Sequence, residues 1–251
     1  MRLEQYLNDS AVRFAKRIAV VAGGREHSYG ELARSSNRVA AALAARGIGR
    51  GDRVALFMDD NFEAVVCAFA VLKAGAVATP IEPTTDADAL ARALVRTGAV
   101  AIATEARLAS VAALATARAR AIRLVLLCGG DRATASASCM IFEDIAGGIG
   151  PGPELKRAGP ASDLALLMSS PGPDGAPAES GLTHAEVIAA AGVTPQEKRA
   201  FSAVLSYYGL CQLFATVRAG ATLVLATPSA LRRALAAQIA DDDGAVPALV
   251  A

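Results

Sequence analysis

The stretch SSPGPDGAPAESGLTH, Ser169 to His184, holds the residue spacing most suggestive of chemistry in this 251-residue chain. Gly172 and Gly175 with Pro177 give the outline of a loop that wraps backbone N–H groups around a phosphate. Ser169 and Ser170 add hydroxyls, and Thr183 and His184 follow at a helix start. The remaining residues point the other way. Pro171 and Pro173 have no N–H to donate. Asp174 brings negative charge towards an anion, and Ala178 offers only a methyl group. The plainest reading is a surface loop with a Gly-Pro turn. A working nucleotide grip and a repurposed ligand site are the two alternatives.

Little else in the chain has the spacing of a reactive site. Cys67, Cys128, Cys139 and Cys211 are far apart in sequence, form no Cys-x-x-Cys pair and do not cluster with the two histidines. Reduced core thiols are expected. The acidic run Asp241 to Asp243 reads as a solvated loop. No nucleophile–base pair, metal-ligand spacing or intact Walker loop is present, so neither a catalytic residue nor a metal is expected. Net charge is +1, with no long basic block, which gives no electrostatic footprint for nucleic acid. The N-terminus lacks a signal-peptide core, and the most apolar stretch is broken by Lys73, Gly75 and Pro80. A cytoplasmic protein without a membrane span is expected.

The elements that must position these residues follow from periodicity. Hydrophobic residues make up 53% of the chain, enough for a large core. Helical spacing runs through LEQYLNDSAVRFAKR, YGELARSSNRVAAALAARG, NFEAVVCAFAVLKAG (read as amphipathic), TDADALARALVRTG and LASVAALATARAR. Ser28 stands three residues before Glu31, the capping-box spacing, and Gly47 closes the helix that follows. Short apolar strands lie between, among them GDRVALFMD, AVAIAT and IRLVLLCG. This alternation predicts an α/β fold with mostly parallel sheets flanked by helices. Residues 1–128 form a first α/β section. Residues 129–162, rich in Gly, Pro and Ser, read as a connection, and 163–251 form a second section. A last helix is expected over PSALRRALAAQIA.

Tyr29-Gly30-Glu31-Leu32, Asn37, Gly51-Asp52-Arg53-Val54, Leu72-Lys73-Ala74-Gly75-Ala76 and Pro80 together resemble the adenylate-forming superfamily of acyl-CoA synthetases, peptide-synthetase adenylation domains and luciferases. The resemblance implies the first part of that family's large N-terminal domain. It covers nearly the whole chain but only about half of a family member. No segment resembles the family's Tyr-Thr-Gly-Asp motif, hinge or lysine-bearing lid domain. Family members carry a phosphate loop of the form Tyr-Thr-Ser-Gly-Thr-Thr-Gly-x-Pro-Lys-Gly, then Leu-Thr-His. Laid on this chain from Ser169, it matches at Gly172, Gly175, Pro177, Leu182, Thr183 and His184, and Ser170 keeps a hydroxyl. Pro171, Pro173 and Asp174 replace hydroxyl residues, Ala178 replaces the lysine and Glu179 a glycine. His184 is expected to cap or pack rather than catalyse. The resemblance also places Ser206, Tyr207, Tyr208 and Gly209 along an acyl pocket.

The expectation is a truncated, degenerate homologue without adenylating activity: a pseudoenzyme that binds something. It would act as a homodimer or in complex with another protein, such as a full-length synthetase, and needs no cofactor. One alternative is half of a split acyl-adenylate-forming ligase, using ATP and Mg²⁺ with a partner chain. The other is a binder of an acyl or carboxylate small molecule.

Overall fold

The computed structural model describes residues 1–130, 138–148, 155, 159–171, 177–192, 198–201 and 203–225. In chain order the elements are α1 (Leu3–Phe14), β1 (Ile18–Ala22), β2 (Arg25–Ser28), α2 (Tyr29–Ala45), β3 (Arg53–Phe57), α3 (Phe62–Lys73), β4 (Val77–Pro80), α4 (Ala87–Thr97) and β5 (Ala99–Glu105). A short 3-10 turn, Ala106–Leu108, leads into α5 (Ala109–Thr116) and β6 (Leu124–Cys128). There follow β7 (Cys139–Ile141), α6 (Phe142–Ala146), β8 (Leu164–Pro171), β9 (Pro177–Thr183), α7 (His184–Ala190), β10 (Lys198–Phe201), α8 (Tyr207–Arg218) and β11 (Thr222–Leu225). The described part of 129–162 therefore includes β7 and α6. The helix expected over PSALRRALAAQIA lies outside the described residues.

Two sheets result. The larger has the order β7-β6-β5-β3-β4-β8-β9, parallel except for the β8–β9 hairpin. The smaller has the order β10-β11-β1-β2, with only β1–β2 antiparallel. Alternation along the strands explains the cover on both faces of the larger sheet. Val54 and Leu56 of β3 face the main core, whereas Ala55 and Phe57 face a second core under α4 and α5. Asp86 caps α4 by accepting from the Ala89 N–H at 2.8 Å, and Gly98 ends it at φ 64°, a left-handed turn that glycine adopts without strain.

α3 departs from the amphipathic reading. All of its residues except Glu63 are buried. It touches β1 of the smaller sheet and β3 and β4 of the larger, and lies along α2. A helix enclosed in this way needs no polar stripe. Its Phe69 meets Phe214 of α8 edge to face, with centroids 5.6 Å apart. Lys73, at its buried end, donates to Asn37 Oδ1 at 2.6 Å. The fold also buries Cys67 and Cys128, distant in sequence, in the same core.

Ser28 caps α2 through the Glu31 N–H at 3.2 Å, as its spacing predicts. The reciprocal half of the box is diverted, because the Glu31 carboxylate pairs with His27 Nδ1 at 2.8 Å. Tyr29 is fully buried and donates to the Ala221 carbonyl at 2.6 Å, tying α2 to the entry of β11. Tyr29→Phe leaves that carbonyl without its donor. The expected cost is about 1–2 kcal/mol, read as a lower midpoint of urea unfolding. Among the described residues, no helix is long and apolar enough to cross a membrane.

Candidate functional site

The β8–β9 hairpin carries the loop read from the sequence. Its register sets Ser169 opposite Glu179, Ser170 opposite Ala178 and Pro171 opposite Pro177. Gly172, Asp174 and Gly175 lie outside the described residues. Ser169, Ser170, Pro177 and Ala178 are exposed. Ala178, at the position of the family's lysine, therefore meets solvent with a methyl group. Glu179 reaches Arg96 of α4, whose Nε donates to its Oε1 at 2.6 Å, and Arg96 Nη2 also donates to Ser169 Oγ at 3.3 Å. The guanidinium at the base of the hairpin is thus already held by a carboxylate. Sequence reading missed Arg96, because α4 and β9 are joined only by the folded sheet.

Thr183 and His184 play structural roles. Thr183 caps α7. Its Oγ1 accepts from the Glu186 N–H at 3.2 Å, and Glu186 Oε2 accepts from the Thr183 N–H at 2.8 Å. These hydrogen bonds hold the Glu186 carboxyl below the usual range. His184 is the next residue and is fully buried. Its Nδ1 accepts from the Leu3 N–H at 3.2 Å, so the ring is neutral with its proton on Nε2. Burial first, then the Arg2 guanidinium, push its pKa down to about 3. Arg2 itself bridges Glu4 at 2.7 Å and Asp163 at 3.2 Å. Asp163 accepts from Arg50 Nε at 2.9 Å and from Arg50 Nη2 at 2.7 Å. Of the two roles expected for His184, packing is the one observed: Thr183 is the cap, and the imidazole turns towards α1.

Ser206 caps α8, accepting from the Gly209 N–H at 3.0 Å. Tyr207 and Tyr208 follow at 43% and 53% exposure, so both rings project into solvent from the first turn of the helix. Gly209 faces inward. A Cβ there would stand 2.2 Å from the Ala203 carbonyl oxygen and 2.8 Å from Val204 Cα. Gly209→Ala is expected to lower stability by roughly 1–3 kcal/mol and to shift α8, which chemical unfolding and hydrogen exchange of its first turn would register. The four residues expected along an acyl pocket thus divide: one caps, two are exposed, and one is packed beneath the helix.

Sequence reading also missed the segment Asp59-Asp60-Asn61 after β3, taking Asp59 as the end of a strand and Asn61 as the start of a helix. Asn61 caps α3 at the Ala64 N–H, 2.8 Å, and donates to Glu105 Oε2 at 2.8 Å. Asp59 pairs with Arg107. Burial raises the Glu105 carboxyl above its usual range, and the nearby Asp59 adds to the effect. Among the described residues, no group of three His, Cys, Asp or Glu side chains could hold a metal ion.

The model of the AMP-binding enzyme family matches residues 7–243 of this chain. The chain belongs to that family. Phosphinothricin tripeptide synthetase PhsC of Streptomyces viridochromogenes is 40% identical over 107 residues, covering 43% of this chain and 10% of the synthetase. The medium/long-chain fatty-acid–CoA ligase FadD6 of Mycobacterium tuberculosis is 27% identical over 180 residues, covering 70% of this chain and 28% of the ligase. Solved structures give the same architecture. Coronafacic acid ligase from Pectobacterium brasiliense superposes with a TM-score of 0.83 at 15% identity, over 94% of this chain and 47% of the ligase. Apo MbtA of Mycobacterium smegmatis gives 0.80 at 28% identity, over 94% and 46%. The chain therefore spans about half of those solved chains and a smaller share of the curated relatives. It has the N-terminal fold of an adenylate-forming ligase.

Proposed function

We propose that this chain is a degenerate adenylate-forming homologue that lacks adenylating activity of its own and serves in the cytoplasm as a binding or protein-interaction subunit. The observation that carries this reading is the base of the phosphate loop. Ala178 has no charge to offer a polyphosphate, and Glu179 engages the Arg96 guanidinium. Pro171, Pro173 and Asp174 remove further donors and add repulsion. These residues do not fit Mg·ATP. A homodimer, or a complex with another protein, is favoured by β9. It is the outer strand of the larger sheet among the described residues, largely exposed, and such an edge pairs readily with another chain.

The test is pyrophosphate release from Mg·ATP with a panel of carboxylic acids. The purified chain is expected to release none above background, and turnover by the chain alone contradicts the reading. Light scattering at tens of micromolar is expected to show a dimer or a larger complex. A monomer that captures no partner sinks the association.

A second reading is favoured by Tyr207 and Tyr208. Two exposed aromatic rings at a helix start can cover an apolar ligand, as a binder of an acyl group or carboxylate requires. Thermal stabilisation by a carboxylic acid or an acyl-CoA in the absence of ATP is the outcome expected of that binder. An unchanged melting curve counts against it.

A further inference from the structure

Among the described residues, Ala203 is the one non-glycine residue with a positive φ, 65°. An alanine side chain makes no hydrogen bond that would favour the left-handed region, so something outside must hold it there. That partner is 143 residues away in sequence. The Asp60 carboxylate accepts from the Ala203 N–H through one oxygen and from the Val204 N–H through the other, the latter at 2.7 Å.

The turn is in turn coupled to α8. The Ala203 carbonyl accepts from the Ser206 N–H at 3.0 Å. Ser206 caps the Gly209 N–H, and Gly209 leaves just the space that the Ala203 carbonyl fills. Asp60 itself is fixed. Its neighbours Asp59 and Asn61 are tied to Arg107 and Glu105 at and just past the end of β5, and β3 ends three residues before Asp60. Crevices at the carboxyl ends of parallel strands are where open α/β sheets take ligands, and backbone strain held from outside is commonest at such places.

We propose that Asp60 is a positioning residue: its carboxylate clamps the Ala203–Leu205 turn and so sets where α8 presents Ser206, Tyr207 and Tyr208. That this presented face meets a ligand rests on the binder reading above; the clamp does not.

Residue-resolved hydrogen exchange on the full chain tests the clamp. Asp60→Ala is expected to speed exchange at 203–209 by about tenfold or more while β5 and α1 stay protected. Glycine tolerates φ 65° unaided, so Ala203→Gly in the Asp60→Ala background is expected to restore most of the protection at 206 and 209, whose acceptors remain, but not at 203 and 204, whose acceptor is gone. A purely structural loss would not be rescued in that way. Exchange at 203–209 that stays at the native rate overturns the clamp, as does a rise equal over all elements or one that Ala203→Gly leaves untouched. Should Asp60→Ala fail to fold, Asp60→Asn keeps one acceptor oxygen and is expected to expose only one of the Ala203 and Val204 amides; protection of both overturns the proposal. Octanoate serves as the probe for the presented face. Stabilisation of the native chain by octanoate that is lost in Asp60→Ala and regained with Ala203→Gly supports its role. A native chain that octanoate never stabilises overturns the ligand face alone, and the exchange data still decide the clamp.

Discussion

Acidifying the chain from about pH 6.5 towards pH 4.5 should remove a large part of the stability that His184 confers when neutral, out of roughly 3–5 kcal/mol over its full titration range. The sign follows from where protons bind. An unfolded histidine takes up its proton near 6.5, whereas the buried imidazole resists until about 3. Across that window the unfolded chain holds more protons, so stability falls as acid is added. The physical cause is burial, with the Arg2 guanidinium adding to it and the Leu3 N–H already pointing at Nδ1. Asp163 and Glu186, whose pKa values are lowered, lose their contributions at more acidic pH, below the ordinary carboxylate range. His184→Asn isolates the histidine, because its Oδ1 can still accept from Leu3 while the side chain does not titrate. The variant should be less stable than the native chain at pH 7 but show a flatter dependence of the urea midpoint on pH. Parallel curves for the two proteins would mean that His184 titrates normally.

The buried imidazole also marks what sequence reading reached. Packing was one of the two roles read for His184, yet its partner Leu3 lies 181 residues away, and no local pattern carries that pairing. The same holds for larger features. Period and turn residues foretold the alternation of strands and helices, the Ser28 cap and the Gly47 stop, since each depends on a few neighbours in the chain. Strand order was not legible: β1 pairs with β11 across two hundred residues, and the split into two sheets follows from it. α3 was read as amphipathic because an isolated segment cannot reveal that sheets lie on two sides of it. At the candidate site, the altered loop chemistry was legible position by position. That Arg96 would take Glu179, or Asp60 the Ala203 turn, required the fold. Asp60 left no sequence signal beyond its place beside a helix cap.

The largest expected effect lies in the phosphate loop. A charge-assisted hydrogen bond is worth roughly 1.5–3 kcal/mol. Losing two or three of them, through Ala178 in place of lysine and prolines in place of hydroxyl-bearing donors, costs roughly 4–7 kcal/mol, or about 10³–10⁵ in affinity. Asp174 adds repulsion, and Arg96 cannot easily compensate while Glu179 holds it at 2.6 Å. The β8–β9 hairpin keeps its register through Ser169, Ser170 and Ala178, so the expected loss is one of chemistry at this base rather than of strand pairing. The most direct measurement is calorimetric titration of the purified chain with ATP and Mg²⁺. No detectable heat at millimolar ATP is the predicted result. Binding in the micromolar range would mean that the loop still grips phosphate, and would contradict the reading of this chain as a non-adenylating member of its family.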